Sequence, residues 1–188
     1  MSDNGTPVSR RQLGALASGF LIATALGGSA CGTTRTRTAG QSGAEGDPFA
    51  LLVAEHRQVD QLLERAAASN DPGERAELLA QVRRALTEHA VAEENALYPV
   101  VFQQANLRET VPDLYEEHSQ MKVALFQLEQ MPKEGETWTK GVIEFRTLIA
   151  EHVSEEESVV FPRLKSALGP EQIEQLDQLL RRERGLVG

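Results

Sequence analysis

Four histidines and two glutamates carry the chemistry this sequence can do. The histidines are His56, His89, His118 and His152, the only four in the 188-residue chain. Two of them open a His-x-x-x-Glu motif, His89 to Glu93 and His152 to Glu156. Each histidine lies on an apolar stripe that advances by three or four residues. The stripes include Leu52, His56, Val59 and Leu63; Leu86, His89, Glu93 and Leu97; Leu114, His118, Met121 and Leu125; Ile149, His152, Glu156 and Val159. Such spacing marks the core-facing seam of a helix. An unpaired carboxylate on that seam costs several kcal/mol, and no Lys or Arg shares the stripes. Bound cations are the compensation this pattern calls for. Imidazole with carboxylate and no thiolate suits iron, manganese or zinc. Six donors exceed the four of a structural zinc site, which favours two metals.

The elements that must position these groups are helices. Asp47-Pro48 and Asp71-Pro72 each place a capping side chain before proline at the first helical position. Thr110 with Pro112 and Asp113 reads as a similar start, and Gly169-Pro170 ends one helix and opens the last. The expected spans are 47–68, 72–103, 110–131, 136–167 and 170–184. Sustained apolar alternation and hairpin turn signals are missing from the sequence. The predicted fold is all-α: an up-down-up-down four-helix bundle with a short fifth C-terminal helix. On that fifth helix Leu176, Leu179 and Leu180 are expected to share one face, and the Trp138 region reads as structural. The chain also repeats itself. His89-x-x-x-Glu93-Glu94 recurs as His152-x-x-x-Glu156-Glu157, and Leu97-Tyr98-Pro99 recurs as Val160-Phe161-Pro162. Two hairpins therefore each carry one lone His and one His-x-x-x-Glu.

Charge divides the chain. It has 28 acidic and 19 basic residues, for a net charge of −9. Before residue 47 the basic residues Arg10, Arg11, Arg35 and Arg37 outnumber Asp3 and Glu45. Residues 1–31 read as an export signal: Arg10-Arg11, an uncharged run from Leu13 to Ala30, and a small-residue exit at Gly28-Ser29-Ala30. Cys31, the one cysteine, stands where a bacterial lipoprotein carries its acylated residue, although the residues before it depart from the usual lipobox. Cleavage after Ala30 without lipidation is the alternative. The expected location is thus the cell envelope or periplasm, with membrane attachment only through a lipid anchor at Cys31. Residues 32–46, rich in Gly, Thr and Ser, read as a flexible linker, and 47–186 as the metal-binding domain. The acidic balance argues against a nucleic-acid partner. No Ser/His/Asp set or glycine-rich phosphate loop is present, so no catalytic residue is assigned.

The ferritin-like di-iron pattern needs Glu three residues before a histidine. Val53, Leu86, Tyr115 and Ile149 occupy those positions here. Instead, His56, His89-x-x-x-Glu93, His118 and His152-x-x-x-Glu156, with the repeated Glu-Glu and aromatic-Pro tails, resemble the hemerythrin family and its bacterial HHE cation-binding domain. The resemblance spans residues 47 to about 184. It implies a pair of non-haem irons bridged by Glu93 and Glu156, with His56, His89, His118 and His152 as terminal ligands. It further implies a small diatomic ligand (oxygen or nitric oxide) or peroxide, or iron storage. A di-iron oxidase or peroxidase and a structural metal bundle stay open as alternatives. Oxygen-carrying members have a fifth His one turn from the third-helix His. Leu114 and Lys122 flank His118 here, so reversible oxygen carriage is not expected. Glu55, Glu88, Glu117 and Glu151 each precede a histidine; they could accept hydrogen bonds from the metal-binding rings, but one residue back points about 100° away, so a solvated face is the expectation. Tyr115, one turn before His118, is the expected hydroxyl near the site.

Overall fold

The computed structural model of the chain describes residues 46–104 and 106–186. The leader, Cys31 and nearly all of the linker lie outside the described residues. Among those described, the regular elements are all helical: α1 Pro48–Ala68, α2 Pro72–Ala92, α3 Tyr98–Gln103, α4 Val111–Gln130, α5 Gly135–Glu155, α6 Phe161–Ala167 and α7 Pro170–Arg184. The α2–α3 and α5–α6 pairs are each joined without a break by a π-helical turn, Glu93–Leu97 and Glu156–Val160. The expected span 72–103 is therefore one shaft with a widened turn inside it. The same holds for the fourth long helix, which begins at Gly135, one residue earlier than expected. Gly135 takes a φ of +69°, a conformation that favours glycine.

Two of the expected caps form. Asp47 accepts from the amides of Phe49 and Ala50, and Asp71 from those of Gly73 and Glu74. Thr110 does not cap α4. It is the last residue of a short 3₁₀ turn, Arg108–Thr110, and its hydroxyl donates to the Leu107 carbonyl. That turn already feeds the chain into α4, leaving no extended residue for a cap.

Two apolar clusters sandwich the histidine layer. One gathers Leu52, Leu97, Tyr98, Leu114, Phe161 and Leu164, with Leu176 and Leu180 from α7. The other gathers Val59, Leu63, Val82, Met121, Trp138 and Ile149 among its members. Each fully buried leucine contributes about 1.5–3 kcal/mol, so both clusters hold the layer between them firmly. The fifth-helix face is narrower than expected: Leu176 and Leu180 are buried, but Leu179 is 42 % exposed. Positions four apart lie one above the other on a helix, and Leu179 falls a residue off that line. Helix α1 packs on α2 and α5, and α4 packs on α5 and α2. Helix α7 lies against α2, α1 and the first π turn.

Candidate metal centre

All six expected donors come together in the buried layer. Glu93 and Glu156 have no exposed surface, and the four histidines are buried. Two groups form, His56, His89, Glu93 and Glu156 in one, and Glu93, His118 and His152 in the other. Within each group the donor atoms lie within 4.8 Å of one another. His56 Nε2 faces His89 Nε2 at 3.1 Å, and His118 Nε2 faces His152 Nε2 at 3.1 Å.

The carboxylates reach across both groups. Glu93 Oε2 lies 3.0 Å from His89 Nε2 and 3.4 Å from His118 Nε2. Glu156 Oε2 lies 3.3 Å from His56 Nε2 and 3.5 Å from His152 Nε2. These are close approaches without the alignment of hydrogen bonds: both Glu93 oxygens and Glu156 Oε2 are buried with no hydrogen-bond partner. Neighbouring donors around one octahedral ion, each about 2.1 Å from it, stand roughly 3 Å apart. The donor set therefore fits ions placed between these atoms better than it fits the atoms bonding to one another.

The outward ring nitrogens repeat one arrangement four times. His89 Nδ1 donates to Glu55 at 2.9 Å, and His152 Nδ1 to Glu117 at 2.7 Å. His56 Nδ1 donates to Glu157 and His118 Nδ1 to Glu94, both at 2.9 Å. A carboxylate on Nδ1 fixes that nitrogen as the protonated one and turns an acceptor Nε2 inward, as a metal-bound imidazole requires. The expectation of a solvated face is corrected for Glu55 and Glu117. Each serves a histidine on the neighbouring helix, not the one beside it in sequence. It stands for Glu151, which is exposed; Glu88 is half-buried and lines a surface cleft. Glu94 and Glu157 were legible only as the second member of the repeated Glu-Glu pairs.

Electrostatics follow the geometry. Burial works against a charged His89, yet the Glu93 carboxylate and the Glu55 hydrogen bond hold its pKa up to about 10. His118 is also raised, against burial, by Glu93 and Glu94. Burial pushes the Glu93 carboxyl up, but His89 and His118 outweigh it and hold it well below the usual range. Without metal, protons do the work of cations here.

The hydroxyl at the site belongs to Tyr98, correcting the expectation for Tyr115. Tyr98 Oη lies 2.9 Å from His118 Nε2 and 3.1 Å from Glu156 Oε1, fully buried. Its phenol is pushed up by burial and by the charges of Glu93 and Glu156, so it keeps its proton. Tyr115 is 40 % exposed and donates to the backbone carbonyl of Glu94. The π turn explains the exchange. Pro99 lacks an N–H and its ring crowds the carbonyl four residues back, so the helix widens and the Tyr98 amide bonds Glu93. Five-residue spacing then brings Tyr98 over Glu93. Pro162 does the same in the second shaft, where Phe161 stacks on His56 with ring centroids 6.0 Å apart. Leu114 is buried against the Tyr98 cluster, and Lys122 pairs with Glu94 at 2.6 Å. A cavity of about 250 Å³ opens between α2 and α4, lined by Leu86, Met121 and Leu125 and by the rings of His89 and His118.

Residues 47–164 match the family described as Hemerythrin HHE cation binding domain. A protein of Nostoc sp. named DNA nickase is 34 % identical over 125 residues, covering 66 % of this chain and 35 % of the relative. The chain thus spans about a third of that relative's length.

Proposed function

We propose, for a chain that belongs to the hemerythrin HHE cation-binding family, that the core holds two non-haem irons and presents them to a small diatomic ligand or peroxide. The observation that carries this reading is the pair of facing Nε2 groups, each joined by a carboxylate oxygen that has no hydrogen-bond partner. His56 and His89 would hold one iron and His118 and His152 the other, with Glu93 and Glu156 within reach of both. The four long helices, taken as shafts, form the up-down-up-down bundle that supports them. Manganese or zinc would suit the same donors less specifically.

The bound irons supply a redox-active Lewis acid, and the chain does the rest. Glu55, Glu94, Glu117 and Glu157 hold the four rings in orientation. The apolar clusters on either side exclude water from the layer. Tyr98 holds a proton at Oη beside His118 and Glu156. The cavity between α2 and α4 brings a largely apolar cleft up to the rings of His89 and His118, where a small molecule could approach. The name of the Nostoc relative concerns a protein about twice as long, and the net charge of −9 opposes a DNA phosphate backbone. We carry no nicking activity to this chain. An envelope location, reached through the Arg10-Arg11 leader, completes the proposal; changing both arginines to lysine should strand the precursor in the cytoplasm.

Anaerobic reconstitution with metal analysis tests the reading. About two irons per chain are expected for a carboxylate-bridged pair. One zinc per chain with no iron uptake would replace it with a structural metal site.

A further inference from the structure

The C-terminal helix reaches the metal layer through one side chain. Arg184, the last residue of α7, lies with Nε 2.6 Å from Glu55 Oε1, and its Nη2 donates to Glu55 Oε2 at 2.9 Å. The pair is thus one charge-assisted hydrogen bond, from Nη2, beside a close ionic approach of Nε that is not aligned as a hydrogen bond. The same Oε2 accepts the Nδ1–H of His89. Arg184 is itself enclosed: its side chain is 15 % exposed, and Nη1 is buried with no acceptor. A guanidinium in that position is committed to Glu55. The counterpart of Glu55 in the second hairpin, Glu117, has His152 as its ion-pair partner and is 34 % exposed.

Helix α7 is anchored so that this contact persists. Leu176 and Leu180 are buried in the cluster with Ala96 and Leu97 of the first π turn, and Asn95 donates to Glu183 at 3.0 Å. Helix α7 also lies beyond the residues that match the family, 47–164. We propose that Arg184 is a positioning residue for the metal centre, holding the Glu55 carboxylate where it receives the His89 Nδ1–H. Helix α7 is on this view a brace for one half of the site. The inference rests on the metal reading above. Without the Arg184 ion pair, Glu55 is free to turn to solvent and the His89 ring loses its fixed orientation.

The test uses the full chain and ferrous iron, titrated anaerobically, in R184M, R184K, E55Q and the E55Q/R184M double variant. R184M should weaken one of the two iron-binding steps by about tenfold, the low end for loss of an outer hydrogen-bond partner. R184K should recover part of that loss. E55Q should cost at least as much, and R184M should add nothing in the E55Q background, because Arg184 acts through Glu55. The second readout needs no metal. The His89 Nδ1–H resonance should be protected from exchange in the parent chain and lost in R184M, while helical circular dichroism stays unchanged. Titration of R184M like the parent, tighter binding, or additive losses in the double variant would overturn the proposal. Failure of the parent chain to bind iron would overturn the metal reading instead, and the ring resonance would still decide whether Arg184 holds His89. If α7 detaches in R184M, R184K decides: parent-like folding with no recovery of binding over R184M counts against the brace.

Discussion

The two halves of the site share their donors and differ in what surrounds them. Each half has two histidines with Nε2 atoms 3.1 Å apart and carboxylates on both Nδ1 atoms. Around His118 and His152 stand the Tyr98 hydroxyl and, through Glu94, the cation of Lys122. Around His56 and His89 stand the unreactive ring of Phe161 and, through Glu55, the guanidinium of Arg184. The repeat carries the same donors in both hairpins and different neighbours around them. One half is therefore equipped to hold a proton beside the metal, and the other to hold a ligand ring rigidly against an apolar wall.

The largest expected effect removes what the halves share. Glu93→Ala deletes the carboxylate that faces both His89 and His118, so iron content should fall below one per chain by elemental analysis. Metal removal from the parent should cost several kcal/mol in urea unfolding, because buried carboxylates and imidazoles then compete for protons alone. Next come changes confined to one half. His56→Ala and His118→Ala should each leave about one iron per chain, and equal residual contents of zero would show that the halves load only together. Tyr98→Phe removes a buried hydrogen bond to the shared Glu156 carboxylate, worth about 1.5–3 kcal/mol, and the hydroxyl beside His118 in the second half. His118→Ala combined with Tyr98→Phe should then cost less than the sum of the two in stability measurements.

A smaller effect concerns pH. In the metal-free chain His89 keeps its proton up to about 10, against 6.5 for the free group. Between those values the folded chain holds more protons than the unfolded one, so stability is fully present below 6.5 and is lost as pH rises towards 10. Urea midpoints of the metal-free protein should fall over that window. Those of the iron-loaded protein should fall less, since metal takes the place of the proton at Nε2. The smallest effect is Lys122→Met, which removes an ion pair whose lysine is 59 % exposed. Less than about 1 kcal/mol is expected, and a larger loss would mean that Glu94 needs its cation to hold His118.

The helix spans and the inward-facing donors were legible because both follow from a three-to-four-residue period. His56, His89, His118 and His152 interrupt otherwise apolar stripes, and Glu93 and Glu156 could not be solvated there. The same period misplaced the tyrosine. Counting at 3.6 residues per turn puts Tyr98 away from Glu93 and puts Tyr115 on the histidine face. The repeated aromatic-Pro tail held the signal for a widened turn, since proline cannot donate and crowds the preceding turn. Partners across helices were less accessible. That Glu55 serves His89, and that Glu157 serves His56 from the far end of the chain, depends on how α1, α2 and α5 are packed. The Arg184 contact spans 129 residues and had no periodic signal at all.

The π turns also set a reading frame along each shaft. Every residue after Leu97 is offset by one position from the frame that serves His89, and every residue after Val160 from the frame that serves His152. If residues 94–97 returned to α geometry with none of them lost, all that follows would turn by about 100°. Tyr98 and Val101, now buried, would turn to the outward directions that Pro99 and Phe102 hold. Substitutions in this turn alter one contact at a time. A return to α geometry at full length alters the phase of the whole downstream segment, whereas loss of one residue together with the widened turn would leave that phase in place.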